Sequence, residues 1–319
     1  MGAARMLKFY KTIDGHIQRL KQEEPGCWVM AVHPTEQELQ YMQMSMNLDR
    51  DFLSASLDEE EMSRTEKEED QTFIVVDVPY QVEDEEQNEE NSTVLFTTIP
   101  LGIIITDQYF VTISSKQSEI LDNIAAGMVR GVQTKMHTRF LLIILLRIAQ
   151  RFLLHLKMID RIATSMESQM HSSMKNEALI QLMSLQKSLV YISTSLRANE
   201  ATLKRISRGN LVTLYEDDED LMQDVLIEIH QAMEMSEIHT NILTGTIDAY
   251  ASIISNNLNL VMTVMTSVTI LMTIPNMVCG YYGMNVSGLQ FPVWWVPVLV
   301  SLVLVLAAAA VLAKFKMFK

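Results

Sequence analysis

Apolar and polar positions along this chain follow three successive patterns, and each predicts a different kind of structure. Through about residue 125, short apolar runs alternate with turn residues: Cys27-Trp28-Val29-Met30-Ala31-Val32, Phe73-Ile74-Val75-Val76-Asp77-Val78, Val94-Leu95-Phe96, Gly102-Ile103-Ile104-Ile105 and Phe110-Val111-Thr112-Ile113. Their β-branched and aromatic content predicts strands, with a helix from Thr35 to Leu57 between the first two, so residues 1–134 read as an α/β domain. From Lys135 to Ser207 there is no Gly or Pro and apolar residues recur at helical spacing, which predicts long packed helices. Phe140 to Leu146 is apolar too briefly, before Arg147, to cross a membrane, and reads as a buried helix face. Ser207-Arg208-Gly209-Asn210 breaks the helix, and Glu216 to Asp220 forms the acidic first turn of the next. From Asp217 only Gly245 interrupts the pattern before Pro275. A helix of about 85 Å is predicted, leaving the stalk of residues 135–257 and entering a bilayer without a break.

The third pattern begins where the charges end. No Asp, Glu, Lys or Arg occurs from Ala249 to Ala313. That stretch far exceeds one crossing of about 20 residues and contains an internal break, so it predicts two spans, 258–280 and 291–313, joined by residues 281–290. Trp294 and Trp295 suit an interfacial belt, and Lys314, Lys316 and Lys319 form a basic tail over 314–319. Basic residues favour the inside, so the C-terminus is expected in the cytoplasm. Two spans then place the N-terminal region there too, with only the 281–290 link outside the cell membrane.

Composition narrows the function. With 39 acidic against 25 basic side chains the net charge is −14, which disfavours nucleic acid and makes cations the natural partners, alongside the bilayer itself. Cys27 and Cys279 alone make neither a disulfide framework nor a CxxC site, which suits a reducing interior. The start of the chain is polar and charged and carries no secretory apolar region. Asp58 to Asp70 and Glu83 to Glu90 are acidic, the second reading as a solvated loop. The seven His form no paired-ligand spacing, His230 and His239 read as surface or interface residues, and there is no GxSxG, P-loop or Gly-rich nucleotide loop. Neither catalysis nor an organic cofactor is expected.

The two spans differ in kind. The second is almost wholly aliphatic, whereas the first contains Asn259, Thr263, Thr266, Ser267, Thr269, Thr273 and Asn276. Steps of three or four from Asn259 collect Met262, Met265 or Thr266, Thr269, Thr273, Asn276 and Gly280 on one face. Such a stripe serves either helix packing or contact with water.

Directly after it comes Gly280-Tyr281-Tyr282-Gly283-Met284-Asn285. This junction closely resembles the YGMN signature of the CorA family of divalent-cation channels, and it falls at the outer end of the first of two terminal spans. Phe52 to Glu61, with Arg64 and Glu66, is similar more weakly to a segment that many members carry before a central strand. The resemblance implies a homopentameric funnel: a cytoplasmic α/β domain, a long helical stalk and two C-terminal transmembrane helices, the first lining an axial pore and the second forming an outer ring. It implies a selectivity filter of Gly283, Met284 and Asn285, and a hydrophobic gate of Met262 and Met265. Asn259, Thr269, Thr273, Asn276 and Gly280 would line the rest of the pore. It further implies closure by cytoplasmic Mg2+ bound between subunits, with Asp224 on the long helix and a partner among Asp58, Glu59 and Glu60. Passive influx of Mg2+, with Co2+ or Ni2+ alongside, is the expected function. Carbonyl rings can grip a small hydrated cation through its water shell. One departure stands out: Val286-Ser287-Gly288-Leu289-Gln290 is neutral where many members are acidic. Alternatives within the same architecture are a zinc-preferring transporter, as in the ZntB branch, proton coupling as the driver, or a non-conducting membrane-anchored sensor.

Overall fold

The computed structural model of the chain describes residues 7–68, 70–82, 96–172, 176–209, 211–284 and 293–314. It divides into two units, Met1–Gly245 and Thr246–Lys319.

The first unit is built on a seven-stranded sheet in the order β2-β1-β3-β7-β6-β5-β4. Its strands are β1 (Leu7–Ile13), β2 (His16–Leu20), β3 (Cys27–Val32), β4 (Arg64–Glu68), β5 (Gln71–Gln81), β6 (Phe96–Ile105) and β7 (Tyr109–Ser114). Among the described residues only the β3–β7 pair is parallel. The expected strands are present among the described residues, although Phe96 and 102–105 belong to one strand; residues 94 and 95 lie outside the described residues. Pro100 inside β6 is the reason the sequence looks interrupted. It stands opposite Asp77, whose backbone N–H and C=O both pair at 2.8 Å with the Asn199 carboxamide, so the missing proline N–H is not called upon. The β1–β2 hairpin carries no apolar run in its second strand and so left no sequence signal.

Helices cover both sheet faces. On one lie α1 (Glu36–Ser45) and α2 (Arg50–Ala55), whose Met42, Met46, Phe52 and Leu53 pack on Cys27, Val29, Ala31, Phe73, Val75, Ile104, Val111 and Ile113. A single helix from Thr35 to Leu57 was expected. The observed pair is separated at Asn47, which has φ of +53°, and restarts with Asp49, whose carboxylate accepts from the Asp51 amide at 2.7 Å. Gly102 lets this layer close. A Cβ there would lie 1.9 Å from the Ser56 hydroxyl oxygen.

On the other face lie α3 (Glu119–Ala125), α4 (His137–Ser172) and α5 (Asn176–Ser207). Phe140 of α4 meets the rings of Trp28 at 5.2 Å and Phe110 at 4.6 Å. All six residues from Phe140 to Leu145 are buried, as expected for a core face rather than a span. With helices on both sides, alternate residues of each central strand enter different cores, which explains their unbroken apolar runs.

The last helices are α6 (Glu216–Tyr282), whose residues contribute to both units, and α7 (Trp295–Lys314). Pro275 lies inside α6 rather than ending it. Both helices are long and apolar enough to cross a membrane.

Candidate functional site

At about 100° per residue, the face of α6 in the second unit can be laid out from Thr269 as zero. Asn259, Met262, Met265, Thr266, Thr273, Asn276 and Gly280 all fall within about 80° of it. All of these, and Thr269 itself, are exposed; Met262 and Met265 are 62% and 63% accessible. Thr263, Ser267, Leu271, Ile274 and Val278 fall about 120–180° away, and this is the face withdrawn from solvent, with Ser267 wholly buried. On α7 the withdrawn positions are Val296, Pro297, Ser301, Val305, Ala308, Ala309 and Leu312, again at steps of three and four. The mixed polar and methionine face is thus the open one on α6, opposite the stripe withdrawn from solvent. Thr263 and Ser267, the polar residues of the span that the stripe does not include, lie on the withdrawn side.

The hydroxyls on this helix share one arrangement. Thr263 donates to the Asn259 carbonyl at 2.7 Å, Thr266 to Met262 at 2.7 Å, Ser267 to Thr263 at 2.8 Å, Thr269 to Met265 at 2.8 Å and Thr273 to Thr269 at 2.8 Å. Each proton is committed four residues back, so each hydroxyl oxygen presents only lone pairs outward. On the open face, Thr266, Thr269 and Thr273 therefore offer acceptors alone, as does each Asn side-chain carbonyl. The hydroxyl acceptors suit a hydrated cation, and the Asn259 and Asn276 carboxamides add carbonyl acceptors beside their N–H donors.

At the C-terminal end of α6, the Gly283 amide donates to the Cys279 carbonyl at 2.9 Å, continuing the helical bonding by one residue. A Cβ at Gly283 would stand 3.2 Å from that same carbonyl oxygen, so the position is tight for any side chain. Met284 is half-exposed, Cys279 is an exposed free thiol, and Gly280 has open space around it. Asn285 and the link through residue 292 lie outside the described residues, as do the acidic stretch 83–90, Lys316 and Lys319.

In the first unit, Asp224 on α6 and Asp58, Glu59 and Glu60 after α2 are all exposed. Asp58 is partly spent on its own turn, accepting from the Glu60 amide at 3.0 Å. Among the described residues, no three His, Cys, Asp or Glu side chains stand close enough to hold a metal ion within one chain. The segment resembling the family before the central strand is a packing knot: Arg64 bridges Glu61 and Glu66, lies 5.6 Å over the Phe73 ring, and Phe73 stacks on Phe52 at 4.6 Å. The last carboxylate of α6 before the charge-free stretch is Asp248, also exposed.

Comparison with known proteins identifies the fold and the family. The chain is 26% identical over 286 residues to the cobalt/magnesium transport protein CorA of Methanocaldococcus jannaschii, covering 86% of this chain and 87% of that protein. Its structure superposes on the complete CorA structure from the same organism with a TM-score of 0.82, at 22% identity, over 98% of this chain and 99% of that one. It also matches the full-length CmaX protein with a TM-score of 0.71, at 14% identity, over 100% and 99% of the two chains. The family described as CorA-like Mg2+ transporter protein matches residues 23–316, and the chain belongs to that family of divalent-cation transporters.

Proposed function

We propose that five copies of this chain assemble with the open face of α6 lining one axial pore, through which Mg2+ enters the cell down its electrochemical gradient. The observation that carries this reading is the opposition of two faces on one helix: Ser267 is buried, while Asn259, Thr269, Thr273 and Asn276 are left open. Polar side chains in a span are withdrawn from lipid by a protein or water neighbour, and here only another copy can place them around water. Ranks of lone pairs from Thr269, Thr273 and Asn276 then pass a hydrated cation. Met262 and Met265 form an apolar constriction that closes by dewetting. Gly283, Met284 and Asn285 form the outer filter, where carboxamide and backbone carbonyls hold Mg2+ through its water shell, as the hard, reluctantly dehydrated ion prefers.

Regulation follows from charge. The exposed carboxylates of Asp224 and of Asp58, Glu59 and Glu60 form no metal cluster within one chain, which suits a site completed between subunits. Bound Mg2+ cancels their mutual repulsion and holds the pore shut, and its loss lets subunits separate. An inside-negative potential favours entry of a divalent ion by about 4.6 kcal/mol per 100 mV.

The test is ion flux into liposomes carrying the full chain, with Mg2+, Co2+, Ni2+ and Zn2+ compared. Mg2+ influx that disappears in Asn285→Ala, with the oligomer intact by cross-linking, is the expected result. Retained selective uptake would remove Asn285 from the filter, and movement of Zn2+ alone would change the cargo. Asp224→Lys should weaken inhibition by internal Mg2+; unchanged inhibition would exclude it from the sensor.

A further inference from the structure

Away from the spans, the first unit contains a cavity of about 740 Å3 where the β4–β5 turn, the β6–β7 turn, the start of α4 and the segment leading into α6 converge. Its volume lies in the range of sites for organic ligands. Lys67 from β4, Lys135 just before α4 and Arg139 in the first turn of α4 bring cations to it, and Asp107 and Asp218 bring carboxylates. The wall is fixed by the Thr138 hydroxyl, which donates to the Thr213 carbonyl at 2.9 Å.

Two groups in this wall are short of partners. The Asp218 side chain is only 6% exposed, and the structure gives its carboxylate one ion pair, a long one at 3.5 Å to Arg139 Nη1. His137 Nε2 is buried with no hydrogen-bond partner, and burial lowers the imidazole pKa and keeps the ring neutral. Asp218 belongs to the cavity lining, and a buried carboxylate held there by one long ion pair marks a site built for something polar.

The lining has mixed sign, since Asp70 and Asp217 join the carboxylates. A bare anion would meet repulsion from them, and a bare metal would meet the lysines. Among the described residues no three ligating groups form a metal cage. A metal–phosphate complex resolves the conflict, because Mg2+ is commonly held by one or two carboxylates plus the phosphates it travels with. The first amides of α4, a 36-residue helix, add a favourable dipole for the phosphates. Tyr215, exposed at the rim, offers a ring for a base to stack on.

We propose that this cavity binds a magnesium-complexed polyphosphate, with Lys67, Lys135 and Arg139 on the phosphate oxygens and Asp218 on the metal side. The reading is independent of whether the spans conduct. Binding is measured by calorimetry and thermal unfolding of the full-length protein in detergent, titrating MgATP or magnesium triphosphate at constant free Mg2+, with metal-free ATP in a chelator as a third arm. Saturable binding that raises the melting temperature is expected. Lys67→Ala and Lys135→Ala should each weaken it about tenfold or more, and Lys157→Ala, on the exposed side of α4, should not. Asp218→Asn should erase the preference for the magnesium form. Equal binding of triphosphate and ATP assigns recognition to the phosphates, and tighter ATP binding adds the base; both support the site. No saturable binding at millimolar ligand, or binding untouched by Lys67→Ala and Lys135→Ala, would overturn it.

Discussion

Replacing His155 by Leu should leave this protein at least as stable at neutral pH and markedly more resistant to acid. His155 sits on α4 only 1% exposed, its ring 5.2 Å from that of Phe96, and neither ring nitrogen has a hydrogen-bond partner. Burial, with a smaller contribution from the Arg151 charge, lowers its pKa to about 4 from 6.5. The folded protein therefore keeps the ring neutral, while the unfolded chain protonates it once pH falls below about 6.5. Stability from this group is fully present above that value and is lost progressively as pH falls towards 4. Each pKa unit is worth about 1.4 kcal/mol, so the loss amounts to about 2–3 kcal/mol by pH 4.5. In a unit of this size 1 kcal/mol moves the melting temperature by about 2–4 °C. Thermal unfolding of the full chain in detergent, followed from pH 8 to 4.5, should show the wild type falling several degrees further than His155→Leu. At pH 7.5 the variant should melt at the same temperature or higher, because leucine removes two unsatisfied nitrogens from the core. An identical acid decline in both proteins, or a variant distinctly weaker at pH 7.5, would refute the reasoning.

Three further outcomes can be measured. Asn199→Leu removes both hydrogen bonds to the Asp77 backbone and the bond accepted from the Ser63 hydroxyl, and it should destabilise the first unit by about 3–5 kcal/mol in denaturant unfolding. Gly102→Ala drives a methyl group against Ser56, which is wholly buried, and should cost about 1–3 kcal/mol; pairing it with Ser56→Gly should recover most of the loss, and no recovery would separate the two positions. Cys27 is buried and Cys279 exposed, so an impermeant maleimide should label whole cells at one site and leave Cys279→Ser unlabelled. Labelling that requires membrane permeabilisation would reverse the orientation expected for the link after α6.

What could be read from the sequence followed the strength of its periodicity. The central strands, the α4 core face and the two spans declared themselves through long apolar patterns that no turn chemistry contradicts. β2 did not, because its His16, Gln18 and Arg19 leave an edge strand without an apolar face. The break between α1 and α2 was hidden because its left-handed residue is Asn47 rather than a glycine. In the candidate pathway, residue spacing puts Asn259, Thr269, Thr273, Asn276 and Gly280 on one stripe, and that stripe is exposed while Ser267 on the opposite side is buried. The cavity beside Lys67, Asp107, Arg139 and Asp218 left no mark in the sequence at all, because its groups are drawn from four segments far apart along the chain.

The charge-free stretch from Ala249 to Ala313 also contains no histidine. A carrier that harvests a pH gradient hands protons along acidic or imidazole side chains within the membrane. Neither type occurs between Asp248 and Lys314, and the hydroxyl protons of Thr266, Thr269 and Thr273 are tied to their own backbone. The spans thus hold no acidic or imidazole side chain along which a proton could hop, in keeping with the proposed passage of the cation down its own gradient.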